Sequence, residues 1–232
     1  SSVRPPGQGR RKHRPRMFPL AFFGKGCNPR SWNDLGARMG MDAIRVFGGV
    51  VGLAGSRRLG LASQLANDLV GALHRWKVGL RVGCAKGVDL AFRHAVLSCG
   101  VVDATVVHCS SPSRAREVKA MGLHAVCRVA DSPTPAAALH RRTVLMVAEC
   151  SLLVLFPDDP KTGNWGKGST LAFTTAVEQH IPVFVVTEKP PAATEHFHVH
   201  AGSLFGVVDG HWVVPLSFAV RGEVEDSGEP KC

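Results

Sequence analysis

Residues 50–57 read Val50-Val51-Gly52-Leu53-Ala54-Gly55-Ser56-Arg57, an apolar run that ends in glycine and serine. A second apolar run, residues 80–82, is followed by Gly83-Cys84-Ala85-Lys86-Gly87-Val88-Asp89. A strand that ends in glycine and then opens a helix brings backbone N–H groups to the positive end of a helix dipole, where anions bind. Two such turns close together predict a nucleotide cleft.

Apolar periodicity continues outward from these turns as alternating strands and helices. The predicted strands are 46–54, 79–82, 104–108, 124–129, 151–156 and 182–186, and the predicted helices are 61–77, 88–96, 113–121, 135–150 and 169–180. This alternation predicts an α/β fold, a Rossmann-like three-layer sandwich with a mostly parallel sheet. Ligands of such sheets bind beyond the carboxyl ends of the strands, where we place the glycine-bearing loops 55–60, 83–89 and 163–170.

Four segments divide the chain. Residues 1–16 are predicted to be a basic flexible tail, 17–45 an irregular apolar extension, 46–187 the Rossmann-like domain, and 188–232 a C-terminal extension. Within the last segment we expect a small hairpin formed by 204–208 and 211–214, which turns at Asp209-Gly210.

The formal net charge is +10, and its distribution matters more than its size. Six charges come from Arg4, Arg10, Arg11, Lys12, Arg14 and Arg16, which leaves +4 for the other 216 residues. A basic, apolar-poor tail can dock on single-stranded DNA or RNA, or can simply be solvated. Both interpretations stay open, so the charge alone does not define a nucleic-acid-binding protein.

Composition and cysteine spacing indicate a cytoplasmic protein without a membrane partner. Hydrophobic residues make up 45% of the chain, yet no apolar run has the length of a membrane span, and no signal-peptide pattern opens the sequence. The seven cysteines include no C-x-x-C pair, so we expect neither a zinc cage nor a disulfide framework.

A set of four elements resembles a known family. The set is Gly55-Ser56-Arg57, then the 83–89 turn, then Arg141-Arg142 before a strand ending in Phe156-Pro157, then Gly166-Lys167-Gly168-Ser169-Thr170. Their order and spacing, across residues 46–187, are similar to those of the SLOG superfamily. That Rossmann-like group includes the DprA (Smf) DNA-processing proteins, the small YspA-type proteins, and the LOG ("lysine decarboxylase-like") phosphoribohydrolases.

The resemblance and the turn chemistry together predict the ligand-binding residues. They are Gly55, Ser56, Arg57, Gly83, Lys86, Gly87, Asp89, Arg142, Gly166, Gly168, Ser169 and Thr170. Arg57 supplies a planar cation for bidentate phosphate contact, and the glycines let the backbone approach the ligand. Asp89 either holds a ribose hydroxyl or caps the following helix.

Two enzymatic interpretations are disfavoured by single residues. A Walker-A loop needs Ser or Thr directly after Gly-Lys, and Gly168 stands there instead. The LOG resemblance calls for a Glu three residues after the Thr of a Gly-x-Gly-Thr turn; Gly166-Lys167-Gly168-Ser169 aligns with that turn, so Ala172 occupies the position of the Glu. Asp89 and Asp159 are the carboxylates left as catalytic candidates.

Three further features have open alternatives. His196-x-His198-x-His200 has a spacing that can bind a transition metal, although we expect a solvated loop and predict no metal site. Asp158 and Asp159 suit Mg²⁺ or a turn before Pro160. Cys84, near a predicted helix start, is either a thiolate or a small packing residue.

The sequence therefore predicts a protein that binds or senses a nucleotide or nucleotide derivative without efficient turnover. No cofactor is required, although a bound nucleotide with Mg²⁺ and a homodimer are compatible with the pattern. The alternatives are a DprA-like protein that binds single-stranded DNA and a nucleoside monophosphate phosphoribohydrolase.

Overall fold

The computed structural model of the protein describes residues 49–129, 131–161, 165–192 and 195–216. The predicted tail 1–16, the predicted extension 17–45 and the last residues of the predicted C-terminal extension lie outside this part. None of the helices in the described ranges has the length and apolar character needed to cross a membrane.

Strands and helices alternate along the described chain as the periodicity predicts. In order they are β1 (Val50–Gly55), α1 (Ser63–Arg75), β2 (Gly79–Gly83), α2 (Val88–Ser98), β3 (Thr105–His108), α3 (Pro112–Ala120), β4 (Ala125–Val126), α4 (Pro135–Ala148), β5 (Leu152–Phe156), α5 (Gly166–Glu178), β6 (Val183–Val185), β7 (Phe197–Leu204) and β8 (Val208–Pro215).

All eight described strands form one sheet in the order β4-β3-β2-β1-β5-β6-β8-β7. Strands β1 to β6 pair in parallel, and β8 pairs antiparallel with both β6 and β7. The chain runs outward from β1 to β4 and then returns to β5 on the other side of β1. The strand order therefore reverses between β1 and β5, which is where such sheets open a crevice.

Two apolar cores cover the two faces of the sheet. Helices α1, α2 and α3 pack on one face with Val51, Leu53 and Val154, while α4 and α5 pack on the other with Leu153 and Leu155. Every residue of β5 is buried because both of its faces are covered, which explains its unbroken apolar sequence. The predicted α/β fold, a Rossmann-like three-layer sandwich, is confirmed.

Several predicted boundaries are wrong, and two of them change the site. Helix α1 begins at Ser63 and not at 61, so a loop of residues 56–62 separates it from β1. Helix α5 begins at Gly166 and not at Ser169. The strand predicted over 124–129 contains only Ala125 and Val126.

The C-terminal hairpin exists, but its predicted turn is wrong. Phe205 and Gly206 form the turn with φ of 56° and 68°, and the Val207 N–H donates to Leu204 O at 3.0 Å. Two successive positive φ angles give the turn type whose twist matches the flanking strands. Asp209-Gly210 lies inside β8, and the hairpin extends the main sheet.

Candidate ligand-binding site at the carboxyl edge of the sheet

Ser56 lies directly after β1 and connects it, through hydrogen bonds, to the end of β5 and the residues that follow it. Its N–H donates to Phe156 O at 2.8 Å, and its hydroxyl donates to the Asp158 carboxylate. The same hydroxyl oxygen accepts the Arg58 and Leu59 N–H groups at 2.9 and 3.3 Å. Two amides that an anion would otherwise use are therefore satisfied by a side chain of the loop itself.

The turn of residues 83–89 packs directly on the loop after β1. The Val88 N–H donates to Ser56 O at 3.1 Å, and a Cβ added to Gly87 would lie 2.4 Å from that same oxygen. Gly87 has φ of +72°, a conformation that glycine adopts without a steric penalty. The two predicted glycine turns are therefore in contact, as the cleft hypothesis requires.

A buried charge cluster of Asp89, Arg93 and Arg142 lies beneath the 83–89 turn. Asp89 Oδ2 accepts the Ala85 N–H at 3.1 Å and lies 3.5 Å from Arg142 Nη2. Arg93 Nη1 donates to Gly83 O at 2.9 Å. A Cβ at residue 83 would overlap this cluster, since it would lie 2.0 Å from Asp89 Oδ2.

The cluster carries two guanidinium groups and one carboxylate, all almost fully buried. Within the part of the chain that the structure describes, the Nε atoms of Arg93 and Arg142 are buried and have no hydrogen-bond partner. Burial raises the pKa of the Asp89 carboxyl, and Arg142 opposes that shift. The cluster therefore places two buried cationic side chains beside one carboxyl group.

The segment 166–170 is the first turn of α5 and not the loop that we expected. The Thr170 hydroxyl donates to Gly166 O at 3.0 Å and so bonds within the helix. Ser169 is 3% exposed, and its hydroxyl has no hydrogen-bond partner among the described residues. Gly166 has φ of +68° and lies beside Asp158, which brings this helix N-terminus to the same edge as Ser56.

A groove of about 1060 Å³ runs along the outer side of this helix N-terminus. It is lined by His140 from α4, by residues of α5 and its approach, and by the segment after β6: Trp165, Gly166, Lys167, Thr170, Leu171, Phe173, Thr174, Lys189, Pro190, Pro191 and Ala192. None of these described lining residues is Asp or Glu. The groove therefore combines cations with apolar and aromatic surface.

Two aromatic rings in the groove hold each other in a fixed geometry. The centroids of Trp165 and Phe173 are 4.6 Å apart, and their planes are nearly perpendicular at 84°. Such edge-to-face pairs prefer this separation and are favourable beyond the area that they bury. Because the rings are braced, they can offer a planar ligand a preformed contact.

The predicted site residues fall into three groups. Gly55, Ser56, Gly83, Gly87, Asp89 and Arg142 are packed together at the carboxyl edge, with Asp89 and Arg142 buried beneath it. Arg57 and Lys86 are exposed at that edge. Gly166 and Thr170 line the groove, Gly168 is exposed and Ser169 is buried in the same helix turn, and Gly163 of the predicted loop lies outside the described residues. Their roles in binding remain predictions.

The structure also shows the surroundings of the remaining candidates, which are Asp159 and the three histidines of the His-x-His-x-His segment. Asp159 Oδ1 accepts the Lys161 N–H at 3.0 Å, as in the turn that was one of its two interpretations. His198 and His200 lie on β7, with His196 just before it, so the solvated loop that we expected is wrong. Among the described residues, no group of three His, Cys, Asp or Glu side chains is arranged to hold a metal ion.

Sequence reasoning missed the residues that give the groove its character. Trp165, Phe173, Lys189 and His140 belong to three separate elements, so no motif spacing connects them. Arg93 was also missed, although a charged residue among the apolar positions of a covered helix is a signal that could have identified it.

A second polar cluster centres on Glu149 at the end of α4. Its carboxylate contacts Arg81 Nε at 2.8 Å, Arg128 Nη1 at 2.6 Å and His108 Nε2 at 3.3 Å. His108 is 2% exposed, and burial lowers its pKa despite the neighbouring carboxylate. Burial likewise lowers the pKa of His200 and of His211.

These histidines predict a loss of stability at mildly acidic pH. Their folded pKa values lie below the unfolded value, so the unfolded chain binds more protons as the pH falls below about 6.5. We expect the free energy of unfolding to fall by about 1 kcal/mol or more between pH 7 and 5.5. His108→Asn should flatten this dependence in urea titrations at the two pH values.

The control for that experiment is His94→Gln, which changes an exposed histidine on α2. It should leave the pH dependence of the unfolding free energy as it is in the parent chain. An unchanged slope in His108→Asn would contradict the assignment of buried, neutral His108.

The fold and the position of the loops define the class of protein. It is a Rossmann-like α/β protein in which the loops after the strands and the groove beside α5 lie at the carboxyl edge of the sheet. No protein-family model matches the chain, and no curated protein matches it in sequence.

Solved structures of DNA processing protein A are similar to it. The Streptococcus pneumoniae protein is 18% identical, with a TM-score of 0.47, over 66% of this chain and 53% of its own. The Helicobacter pylori protein, described for its single-stranded DNA binding mode, is 17% identical with a TM-score of 0.48, over 61% of this chain and 66% of its own. This chain thus spans less than two thirds of either protein.

Proposed function

We propose that the protein binds a nucleotide or nucleotide derivative at the carboxyl edge of its sheet. One observation carries this proposal: the groove beside α5 pairs braced aromatic rings with Lys167 and Lys189, and none of its described lining residues is acidic. A base has a π-face that stacks on aromatic side chains, and a phosphate suits lysines near a helix N-terminus.

The same geometry argues against hydrolysis of the ligand. Ala172, at the position where the LOG resemblance calls for a glutamate, is 1% exposed and packs in the core. Asp89 is buried and contacts Arg142, while Asp159 is engaged in a turn. A general acid or base must reach the reacting atoms, and neither carboxylate is presented to the groove.

A binding experiment on the full chain tests the proposal. AMP, ADP, GMP and cyclic nucleotides are titrated while Tm and the heat of binding are followed. We expect at least one to raise Tm, and Lys167→Glu to weaken its binding about tenfold, as the loss of a charge-assisted phosphate contact would. Lys119→Glu, an equal charge change on exposed α3, should alter Kd less than twofold.

The absence of any Tm shift across the panel, in a folded chain, would contradict the proposal. Equal weakening by both lysine substitutions would show that general charge, and not the groove, attracts the ligand.

Single-stranded nucleic acid is the second candidate, and the size of the groove favours it. At about 1060 Å³ the groove is at the upper end of pockets that hold one small ligand. Arg57 and Lys86 are exposed on the loops after β1 and β2, at the carboxyl edge of the sheet. The likeness to DprA proteins, at 17–18% identity, does not decide between the two ligands.

The dependence of affinity on the number of nucleotides in the ligand distinguishes the two candidate functions. An oligonucleotide that binds with much higher affinity than a mononucleotide, and with a steep salt dependence, would favour the second. The comparison should include a chain without residues 1–16, because the basic tail alone can bind nucleic acid non-specifically.

A further inference from the structure

Two cysteines follow neighbouring strands at the carboxyl edge. Gly83, the last residue of β2, pairs with His108, the last residue of β3. Cys84 and Cys109 are the residues that directly follow these two strands. Neighbouring strands lie about 4.8 Å apart, which is within the Cα separation that a disulfide spans. Both thiols are free and buried, and both contribute to the same core.

The surroundings of Cys84 stabilise a thiolate. The Ser110 N–H donates to its sulfur at 3.4 Å, and the Ser110 hydroxyl lies 3.6 Å from it. The neighbouring Cys109 thiol and the charge of Arg142 lower the pKa of Cys84 to about 5, against the opposing effect of burial. The same pairing raises the pKa of Cys109, which therefore keeps its proton.

Charge balance in the buried cluster points the same way. Arg93 and Arg142 face one buried carboxylate, that of Asp89, and in the described ranges both guanidinium groups have a buried Nε without a partner. A thiolate at Cys84 supplies the second negative charge that two buried cations require. This requirement comes from the contacts of the cluster and does not depend on which ligand the groove binds.

We propose that Cys84 and Cys109 form a dithiol site that a hydroperoxide oxidises to an intramolecular disulfide. The Cys84 thiolate attacks the terminal peroxide oxygen, the O–O bond breaks, and Cys84 becomes a sulfenic acid, while the alkoxide or hydroxide that leaves takes a proton from solvent and departs as alcohol or water. The Cys109 sulfur then attacks the Cys84 sulfur, its proton leaves with the hydroxyl as water, and the S–S bond forms. The two sulfurs together lose two electrons, which reduce the peroxide.

Cys150 offers a matched contrast within the same chain. It is also buried, but its thiol donates to Met146 O at 3.0 Å, and burial raises its pKa to about 12. A thiol held in the protonated form is a poor nucleophile. Cys84 and Cys150 are therefore both buried, but they differ in charge state, because in our proposal Cys84 is a thiolate and Cys150 is a neutral thiol.

The test treats the intact full chain with hydrogen peroxide at pH 7, then alkylates the remaining thiols in denaturant and maps the peptides by mass spectrometry. We expect a Cys84–Cys109 linked peptide as the main product, reversed by dithiothreitol, with Cys84 lost at least about tenfold faster than Cys150. The parent chain gives this result without any substitution, so the folding of a variant does not limit it.

Two variants sharpen the result. Cys109→Ala should abolish the linked peptide and leave a Cys84 sulfenic acid that dimedone traps, whereas Cys150→Ala should leave the linked peptide unchanged. The proposal is overturned if Cys84 survives while the half-buried Cys99 or Cys127 is oxidised, or if Cys84 links to any cysteine other than Cys109.

Discussion

Gly87→Ala is expected to lower the free energy of unfolding by about 3 kcal/mol or more. The backbone angles of Gly87, φ +72° and ψ −127°, alone cost a side chain about 1–3 kcal/mol, and the new Cβ would lie 2.4 Å from Ser56 O and 2.7 Å from Arg57 C. Backbone atoms cannot rotate away as a side chain does, so relief requires the 83–89 turn to separate from the loop after β1. Urea unfolding followed by circular dichroism measures the effect.

Gly100→Ala is the control for the effect of a positive φ. Gly100 has a similar φ of +68°, but a Cβ added there meets no described atom within 4 Å. Its substitution should show only the conformational cost of about 1–2 kcal/mol. Equal losses in the two variants would mean that the two glycine turns are not in tight contact, and the cleft would lose its main structural support.

The fold could be predicted because burial leaves a direct signal in the sequence. Residues of β5 are apolar without interruption since helices cover both faces, and the glycines at 83 and 87 stand where other chain segments leave no room for a Cβ. Both effects leave their mark on consecutive residues of the sequence, so they can be recognised without knowledge of the contacts that cause them.

The loop after β1 could not be predicted in the same way. The Ser56 hydroxyl takes the Arg58 and Leu59 N–H groups and donates to Asp158, which follows β5 about a hundred residues later. Ser56 was expected to serve the ligand, but the sequence does not show which donors a hydroxyl meets once distant strands pair. The start of α5 was missed for a related reason, since Gly166 and Gly168 have low helix propensity and the contact with Asp158 lies outside their segment.

The groove could not be predicted from the sequence because the side chains that line it come from positions far apart in the chain. His140, Trp165 and Lys189 come together only after α4, α5 and the chain after β6 pack side by side. None of these residues belongs to a motif with fixed spacing. Gly166 and Thr170, which the sequence predicts to bind a ligand, do line the groove, but no sequence pattern indicated the aromatic and lysine side chains that line it with them.

Asp89→Ala is expected to destabilise the protein by about 3–5 kcal/mol, because it leaves Arg93 and Arg142 buried without their carboxylate. It also removes the acceptor of the Ala85 N–H, which lies 3.1 Å from Asp89 Oδ2 within the 83–89 turn. Glu117→Ala provides the comparison on the surface, since Glu117 pairs with Arg114 at 2.8 Å but about half of each side chain is exposed. That substitution should cost less than about 0.5 kcal/mol in the same urea titration.

A double-mutant cycle separates the pair from its surroundings. If the charge on Arg142 makes the loss of Asp89 costly, then Asp89→Ala with Arg142→Met should be more stable than Asp89→Ala alone, because the unpaired buried cation is gone. Arg93 remains in the double variant, and the thiolate that we propose at Cys84 is a negative charge that acts on it. The oxidation of Cys84 should then lower the stability of the double variant more than that of the parent chain. Additive losses in the cycle would instead mean that Asp89 acts through the Ala85 hydrogen bond, and that the two arginines are neutralised by other groups.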